Sequence, residues 1–259
     1  MTRKVLITGA SSGIGKEIAR ELVARGDFPL LVARNERSLH HLREELGTGE
    51  VFTCDVTRQQ EVENLTDQII QRHQQVDVLI NNAGFGRFGG ALQIPLSDYQ
   101  AMMETNYLGA VRMTLTLLPH MLERGGGRVV NIASVAGLSG SPNLAAYVAS
   151  KFALVGFSES LHLEYAPVIQ VGVLCPGPVQ TPFFCDRDPS RLFPPLIARQ
   201  LLDANTVARH ALKLIDRPRM RVIPHSLSWA MRLRRWAPGL FLQLNRLLYG
   251  TWKKQDIEV

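Results

Sequence analysis

Short runs of apolar residues alternate with longer amphipathic segments along most of this chain of 259 residues. Because the apolar residues in the runs are nearly continuous rather than alternating with polar ones, the runs are typical of strands that are covered on both faces. Seven strands are predicted, at Lys4–Thr8, Pro29–Ala33, Val51–Cys54, Val76–Ile80, Gly127–Ile132, Ile169–Leu174 and Met220–Ile223.

Segments with apolar residues at helical spacing lie between these strands and are predicted as helices at 14–25, 36–46, 58–74, 97–124, 145–165 and 205–216. A series of strand, helix and strand gives a parallel sheet with right-handed crossovers. The predicted fold is therefore α/β, with one Rossmann-type, doubly wound parallel sheet of about seven strands and helices on both faces. Since the chain is too short for two comfortable domains, 1–225 is predicted to form this domain and 226–259 an amphipathic extension of it.

The first strand runs into a glycine-rich turn that opens the first helix, Thr8-Gly9-Ala10-Ser11-Ser12-Gly13-Ile14-Gly15. Glycines allow a tight turn and let the backbone approach a pyrophosphate at the positive end of the helix. A glycine pattern alone is a weak signal, but its place between a strand and a helix favours a dinucleotide site. The candidate cofactor-binding residues here are Gly9, Ser11, Ser12, Gly13, Ile14 and Gly15.

The residues after the second strand indicate which dinucleotide is bound. NAD-binding sites place a carboxylate on the ribose 2′-hydroxyl about 20 residues beyond the glycine turn. This chain has Arg34 and Asn35 there, and a guanidinium binds a 2′-phosphate that a carboxylate would repel. NADP(H) is therefore predicted as the cofactor, with Arg34 as the phosphate ligand and Arg37 as a second candidate.

Further motifs follow in order along the chain: Asp55 after the third strand, NNAG at 81–84, Asn106, Ser134, Tyr147 with Lys151, and Pro176-Gly177 with Thr181. Together with the glycine turn, this ordered set resembles the short-chain dehydrogenase/reductase family over about residues 3–224. The resemblance implies that Asp55 and Val56 flank the adenine and that Asn82, Ala83 and Gly84 line the cofactor groove. It also implies that Pro176, Gly177, Val179 and Thr181 hold the nicotinamide end.

Tyr147 and Lys151 are four residues apart on a predicted helix, so their side chains share one face. A free tyrosine has a pKa of about 10, and the ammonium of Lys151 is expected to lower it by stabilising the phenolate. Tyr147 is thus predicted to donate a proton to a carbonyl oxygen in reduction and to act as base in oxidation. Ser134 follows the fifth strand and is expected to hydrogen-bond the same oxygen.

The resemblance adds roles that residue types alone do not carry. It implies that Tyr147 and Lys151 also contact the cofactor, Lys151 through the nicotinamide ribose, and that Asn106 holds a water linking the lysine to solvent. It further implies a homodimer or homotetramer paired through helices 97–124 and 145–165. No histidine has metal-ligand spacing, so no metal site is expected.

The predicted function is NADP(H)-dependent interconversion of a carbonyl and an alcohol. An alternative from another class is a cofactor-binding sensor or scaffold without turnover, which would not need the set Asn106, Ser134, Tyr147 and Lys151. An isomerase or dehydratase of the same family is a third hypothesis, because the Tyr147–Lys151 pair does not exclude it.

The basic character of the chain is concentrated in its C-terminal extension. The net charge is +6, and 217–259 alone holds nine Lys or Arg against two acidic residues, together with all three tryptophans. Within 226–249, one helical face carries Leu240, Phe241, Leu244, Leu247 and Leu248. Three roles are open for this tail: peripheral membrane contact, a dimer contact or a cap over an apolar pocket, and packing onto the core. Nucleic-acid binding is not expected, since no recognition motif accompanies the charge.

Three further expectations concern the substrate and its surroundings. A membrane role for the tail would imply a lipophilic substrate, such as a sterol-like, long-chain or acyl ketone or alcohol. A cytoplasmic location, at the inner face of a membrane if the tail binds lipid, is expected because the first residues enter a strand without a signal-peptide pattern. The proline-rich stretch 186–202 is either a lid over the substrate or a surface loop, and 84–90 is either a flexible wall of the pocket or a loop.

Overall fold

The computed structural model describes residues 2–181, 183 and 192–256, with side chains up to residue 250. In chain order its strands are Lys4–Thr8 (β1), Phe28–Ala33 (β2), Glu50–Thr53 (β3), Val78–Asn81 (β4), Gly127–Ile132 (β5), Ile169–Pro176 (β6), Val179–Gln180 (β7), Leu202–Asp203 (β8) and Met220–Ile223 (β9). A seven-stranded sheet has the order β3-β2-β1-β4-β5-β6-β9, and every pair of neighbours is parallel. The predicted fold class is confirmed.

The predicted strands agree with the observed ones to within two residues, and three of the seven have the same bounds. The agreement has a simple cause, because strands covered on both faces need apolar residues at nearly every position. In β1, for example, Val5, Leu6 and Ile7 are all completely buried. The short parallel pair β7 and β8 was not predicted, since strands of two residues have no apolar pattern of their own.

The helices are Gly13–Ala24 (α1), Glu36–Leu46 (α2), Gln59–His73 (α3), Leu96–Met103 (α4), Gly109–Glu123 (α5), Ala145–Tyr165 (α6), Pro195–Ala198 (α7), Ala204–Asp216 (α8), His225–Trp236 (α9) and Pro238–Asp256 (α10). One face of the sheet is covered by α1, α2 and α8, which bury Ile18, Leu39 and Val207. The other face is covered by α3, α5 and the C-terminal part of α6. Each of these helices buries one apolar stripe, as an amphipathic helix requires.

The prediction of one continuous helix over 97–124 is wrong. A π-helical turn at Glu104–Leu108 separates α4 from α5. Such a turn is wider than an α-helical one and is frequently found at functional sites. Because apolar periodicity continues on both sides of the turn, the sequence pattern does not reveal it.

The strand order reverses at β1, which has β2 on one side and β4 on the other. In doubly wound sheets, ligands bind beyond the carboxyl ends of the strands at such a switch point. The parallel pairing of β7 with β8 brings Val179 beside Leu202 and Gln180 beside Asp203. A ligand site is therefore expected among the loops that follow the strands on both sides of this switch point.

The C-terminal extension forms two consecutive helices, α9 and α10, directly after β9. The amphipathic helix predicted in this tail is confirmed, and the extension begins at His225, one residue earlier than predicted. Within the part of the chain that the structure describes, no helix is both long enough and apolar enough to cross a bilayer.

Candidate active site

A cleft of about 1390 Å³ lies at the carboxyl ends of the strands, where the switch point predicts it. Most of the predicted site residues line it together: Gly9, Ser11, Ser12, Gly13, Ile14, Arg34, Asn35, Asp55, Val56, Asn82, Ala83, Gly84, Ser134, Tyr147, Lys151, Pro176, Gly177, Val179 and Thr181. The predicted residues Gly15 and Asn106 are not among the described residues that line the cleft. The fold thus assembles one site from residues that are up to 172 positions apart in the chain.

The glycine turn is held in place by the segment that follows β4. Thr8 Oγ1 accepts hydrogen bonds from the backbone N–H groups of Asn82 and Ala83, each at 3.0 Å. Asn82 Nδ2 donates in return to the carbonyl oxygens of Thr8 and Gly9, at 3.0 and 3.2 Å. The contribution of Thr8 was missed in the sequence, because its hydroxyl binds backbone atoms that are remote in the chain.

The geometry of this turn requires glycine and leaves room for a phosphate group. Gly9 has φ +65°, and a Cβ atom there would lie 2.9 Å from Ala83 Cα. Helix α1 begins at Gly13, the preceding Ser12 makes no side-chain cap, and the first residues of the helix, Gly13 and Ile14, line the cleft. This arrangement fits the pyrophosphate of a dinucleotide. Gly15 serves it indirectly, since a Cβ there would lie 2.2 Å from the carbonyl oxygen of Gly9.

The end of the cleft beyond β2 and β3 carries two cations and one acid. Arg34 and Arg58 both line it and are exposed. Burial disfavours ionisation of Asp55, whereas the backbone and hydroxyl hydrogen bonds from Thr57 favour it. With the charges of the two arginines, they keep the pKa of Asp55 below its usual value. Arg58 was missed in the sequence, although its place three residues after Asp55 is a signal that could have found it.

The other predicted residues at this end have different roles. Asn35 caps helix α2, since its side chain accepts a hydrogen bond from the Ser38 N–H at 3.0 Å. Arg37, the second candidate for the phosphate, is exposed on α2 and is not among the described residues that line the cleft. Arg34 and Arg58 are therefore the cations that the fold offers at this end.

Ser134 and Tyr147 meet in the middle of the cleft. Ser134 follows β5, and its Oγ accepts a hydrogen bond from the Ala136 N–H at 3.1 Å. Its hydroxyl also donates to the Pro176 carbonyl oxygen at 3.4 Å and lies near that of Tyr147, which projects from the first turn of α6. The Tyr147 ring packs edge-on against Phe183, with ring centroids 5.3 Å apart. Both hydroxyls are thus fixed where the polar and apolar parts of the cleft meet.

Lys151 lies one turn beyond Tyr147 on α6. Its Nζ is 5.8 Å from the centroid of the Tyr147 ring and donates to the carbonyl oxygen of Ile132 at 2.9 Å. Burial lowers the pKa of Lys151 to about 8. Burial also raises the pKa of Tyr147 to about 12, against a smaller effect of the hydrogen bond with Ser134. The expectation that Lys151 brings the pKa of Tyr147 below its free value is therefore wrong in direction, because loss of hydration dominates.

Asn106 lies inside the π-helical turn and is 1% exposed. Its Nδ2 donates to the Phe85 carbonyl oxygen and to Ser150 Oγ, and its Oδ1 accepts from the Phe85 N–H, each at 2.9 Å. A Cβ on Gly84 would lie 2.9 Å from Asn106 Oδ1 and 3.5 Å from Lys151 Nζ. Asn106 therefore fastens the loop after NNAG beside Lys151, and the water assigned to it by resemblance stays a prediction.

A known protein family matches the part of the chain that holds these site residues. The family described as short chain dehydrogenase matches residues 3–191. The chain belongs to the short-chain dehydrogenase/reductase family. As a member of this family, the protein is an oxidoreductase that acts on carbonyl and alcohol groups with a nicotinamide nucleotide.

Three curated relatives illustrate the range of this dehydrogenase/reductase family. The chain is 45% identical over 186 residues to a putative ketoacyl reductase of Streptomyces coelicolor, covering 68% of this chain and 70% of that one. It is 38% identical over 196 residues to a fatty acyl-CoA reductase of Acinetobacter baylyi, covering 66% of this chain but only 64% of that one. An uncharacterized oxidoreductase of Escherichia coli, YbbO, is 34% identical over 261 residues and covers 96% of this chain and 95% of its own.

Two solved structures resemble this dehydrogenase/reductase closely. The actinorhodin polyketide ketoreductase with NADPH is 37% identical, with a TM-score of 0.76, over 83% of this chain and 90% of that one. A short-chain dehydrogenase/reductase of Burkholderia phymatum in complex with NAD is 26% identical, with a TM-score of 0.81, over 92% of this chain and 95% of that one. Since one neighbour holds NADPH and the other NAD, the likeness leaves the choice between the two nucleotides open.

The half of the cleft beyond Tyr147 is apolar. Phe88 packs edge-on against Phe183 and Phe193, with ring centroids 6.4 and 5.8 Å away. Part of this wall comes from the loop after NNAG, which lines the cleft from Gly84 to Phe88. Of the two roles expected for 84–90, a wall of the pocket is the one that this position matches. Of the stretch 186–202, 186–191 lies outside the described residues, whereas Phe193, Leu196, Ile197 and Gln200 line the cleft.

The C-terminal tail of this dehydrogenase/reductase closes the apolar half. Helices α9 and α10 contribute Ser226, Leu227, Ala230, Met231, Phe241, Asn245, Leu248 and Tyr249 to the lining. The tail is held to the loop after β5 by a hydrogen bond of 3.3 Å between Tyr249 Oη and Ser141 Oγ. Of the roles left open for the tail, a cap over an apolar pocket is the one that these contacts match.

Proposed function

We propose that this dehydrogenase/reductase reduces a ketone or aldehyde group on a lipophilic small molecule, with NADPH as the hydride donor. The observation that carries the proposal is the position of the Tyr147 hydroxyl. It lies near the Ser134 hydroxyl, between a cradle for a dinucleotide and an apolar chamber within one cleft. A carbonyl carbon in that chamber would lie between the hydride donor and the acid.

The residues of the chain divide the proton chemistry among them. Tyr147, with a pKa raised to about 12, keeps its proton at neutral pH and can donate it to the carbonyl oxygen. Ser134 can donate a second hydrogen bond to that oxygen as negative charge develops on it. Lys151, as an ammonium, stabilises the phenolate that Tyr147 leaves behind. The nicotinamide of the cofactor supplies the hydride when it is bound.

Arg34 and Arg58 support NADPH rather than NADH. Both line the cleft beyond β2 and β3, where a dinucleotide on the glycine turn places its 2′ position. A phosphate accepts charge-assisted hydrogen bonds from guanidinium groups. Of the acids near them, Asp55 already accepts from Thr57 at 2.8 and 3.0 Å and is flanked by both cations, and Glu61 pairs with Arg58 at 3.5 Å.

A lipophilic substrate is supported by the walls of the chamber. Phe88, Phe183, Phe193, Met231 and Phe241 present apolar surface to it. Apolar pockets with a few polar groups are typical of small-molecule sites. Two relatives, a putative ketoacyl reductase and a fatty acyl-CoA reductase, add acyl chains to the substrates to be tried first.

We further propose that the protein forms a homodimer or homotetramer and that it is located in the cytoplasm. Helices α5 and α6 carry exposed leucines, among them Leu115 and Leu163 at 54% and 83% exposure, which supports pairing of copies through these helices as a homodimer or homotetramer. Cys54 and Cys175 are buried free thiols, which agrees with a reducing compartment such as the cytoplasm.

The experiment compares NADPH consumption by the wild type, Tyr147→Phe and Tyr165→Phe on a panel of long-chain and cyclic ketones and aldehydes. Tyr165 lies at the far end of the same helix and provides the matched control. We expect turnover in the wild type and the control, and its loss in Tyr147→Phe with NADPH binding retained. Tight NADPH binding by the wild type without turnover of any compound would instead favour the sensor hypothesis.

A further inference from the structure

Helix α9 presents two opposite faces. Leu227, Ala230 and Met231 line the cleft, whereas Trp229 and Trp236 are 67% and 87% exposed. The two tryptophans are seven residues apart, so they lie on the same side of the helix, and this side is turned away from the cleft. Arg232 lies between them, with its guanidinium 4.7 Å from the Trp229 ring centroid.

Helix α10 is divided in the same way. Phe241, Asn245 and Leu248 line the cleft, while Leu240 and Leu244 are 49% and 47% exposed. Only part of the apolar face predicted for this helix therefore contacts the cleft, and the rest is exposed. We call the exposed part of both helices the outer tail face, and it consists of Trp229, Arg232, Arg235, Trp236, Leu240, Leu242, Leu244 and Arg246.

The charge of the outer tail face indicates which kind of surface it can bind. The outer tail face carries three arginines, Arg232, Arg235 and Arg246, and residues 217–250 contain no acidic residue. An isologous contact between two copies brings the same patch of each together, so it would set these arginines against one another. An anionic lipid surface neutralises them instead. Tryptophan and leucine beside arginine are also the residues that enter the interface of a bilayer.

We propose that the outer tail face docks on an anionic lipid surface. Helices α9 and α10 then have lipid on one side and the substrate cleft on the other. A lipophilic substrate dissolved in the bilayer would reach the chamber past the two helices that wall it. The docking is independent of the proposed reaction, because it depends only on residues outside the cleft.

The positions of the tryptophans allow a direct test. All three, Trp229, Trp236 and Trp252, belong to the tail, so the intrinsic tryptophan fluorescence of the full chain reports this segment alone. We expect a blue shift, with quenching by lipids brominated on their acyl chains, on adding vesicles of phosphatidylcholine with phosphatidylglycerol. Vesicles of phosphatidylcholine alone should give little change, and high salt should reverse the binding.

Variants on the face should weaken co-sedimentation with the phosphatidylglycerol vesicles. Arg232→Gln and Arg235→Gln should each reduce partitioning about fivefold, since a basic residue near an anionic surface contributes about 1 kcal/mol. The double variant Trp229→Ser/Trp236→Ser should reduce it about tenfold or more. The matched controls are Leu92→Ser, at a fully exposed leucine outside the tail, and Arg124→Gln, at an exposed arginine after α5. Circular dichroism and the melting temperature establish that each variant is folded.

Three outcomes would overturn the proposal. The first is absence of wild-type binding to the phosphatidylglycerol vesicles at low salt. The second is equal loss of binding in the tail variants and in the controls. The third is a tail variant that changes from dimer to monomer in light scattering while its vesicle binding is unchanged, which would make the outer tail face a contact between copies. Turnover of a water-soluble ketone, measured on the same variants, separates failure of docking from failure of the proposed reaction.

Discussion

The ammonium group of Lys151 lies 5.8 Å from the centroid of the Tyr147 ring and donates to the carbonyl oxygen of Ile132, at the end of β5, at 2.9 Å. Burial acts on the two groups in opposite directions, since it lowers the pKa of Lys151 to about 8 and raises that of Tyr147 to about 12. The charge that changes near neutral pH is therefore that of the lysine, while the tyrosine remains a protonated acid.

The first prediction concerns the pH dependence of carbonyl reduction. Below a pH of about 8, Lys151 is an ammonium and stabilises the phenolate that forms when Tyr147 donates its proton. Above that pH it loses its charge, so kcat/KM should be constant below pH 8 and fall up to about tenfold per unit above it. The measurement is NADPH oxidation over a range of pH at saturating NADPH.

Lys151→Arg is the control for this assignment. A guanidinium keeps its charge throughout the range, so the variant should be slower but should lack the alkaline fall. A wild-type profile that stays flat at high pH, or an unchanged fall in Lys151→Arg, would contradict the assignment to Lys151.

The second prediction concerns cofactor choice. Arg34→Asp replaces a cation that lines the cleft by a carboxylate, so the KM for NADPH should rise about 100-fold while that for NADH changes little. Arg58→Gln should raise the KM for NADPH about tenfold. Arg37→Asp makes the same charge change on α2, away from the described lining, and should have little effect. Retained preference for NADPH in Arg34→Asp, or an equal effect of Arg37→Asp, would refute the placement of the 2′-phosphate.

How far the cofactor end could be predicted depends on the kind of interaction. The glycine turn and Arg34 could be placed because their neighbours in sequence, a strand and a helix, define their surroundings. Arg58 could also have been placed from its position three residues after Asp55, but Thr8 could not, since its role arises from a hydrogen bond across the sheet with Asn82. A pattern local to the chain contains no record of such pairings.

The third prediction concerns Asn106, which we treat as a positioning residue. Asn106→Ala leaves the N–H and the carbonyl oxygen of Phe85 without their partner, so unfolding in urea should show a loss of about 2–4 kcal/mol. Turnover should fall because the loop beside Lys151 is no longer held, with a larger effect on kcat than on the KM for NADPH. Asn106→Asp keeps the hydrogen-bond acceptor but not the donor, so its stability and kcat should lie between those of the wild type and of Asn106→Ala.

The control is Asn64→Ala, at an exposed position on α3, which should leave both stability and kcat close to the wild-type values. Equal losses of kcat in Asn106→Asp and Asn106→Ala would show that positioning of Phe85 is not what the amide supplies. Loss of stability in Asn106→Ala without any loss of kcat would remove its role in the reaction altogether.

The C-terminal helices and the turn around Asn106 mark the limits of prediction in a different way. The apolar stripe on α10 was evident from its spacing, yet spacing could not divide it into Phe241, which is 6% exposed, and Leu240, which is 49% exposed. That division depends on where the cleft lies. Likewise, the π-helical turn widens a helix whose apolar pattern continues through it, so its presence at Asn106 follows from tertiary contacts with Phe85 and Ser150.

The fourth prediction uses this division of α10 to test the cap. Phe241 is buried at the wall of the chamber, so Phe241→Ala should cost about 3 kcal/mol in the free energy of unfolding and enlarge the space beside the substrate. The ratio of kcat/KM for a bulky cyclic ketone to that for a small one should rise several-fold, because each apolar group that a pocket gains or loses changes discrimination by about 1–3 kcal/mol. Gln243→Ala, at an exposed position on the same helix, should leave the ratio unchanged. If both variants left it unchanged while Phe241→Ala lost stability, α10 would be packing onto the core without bounding the substrate.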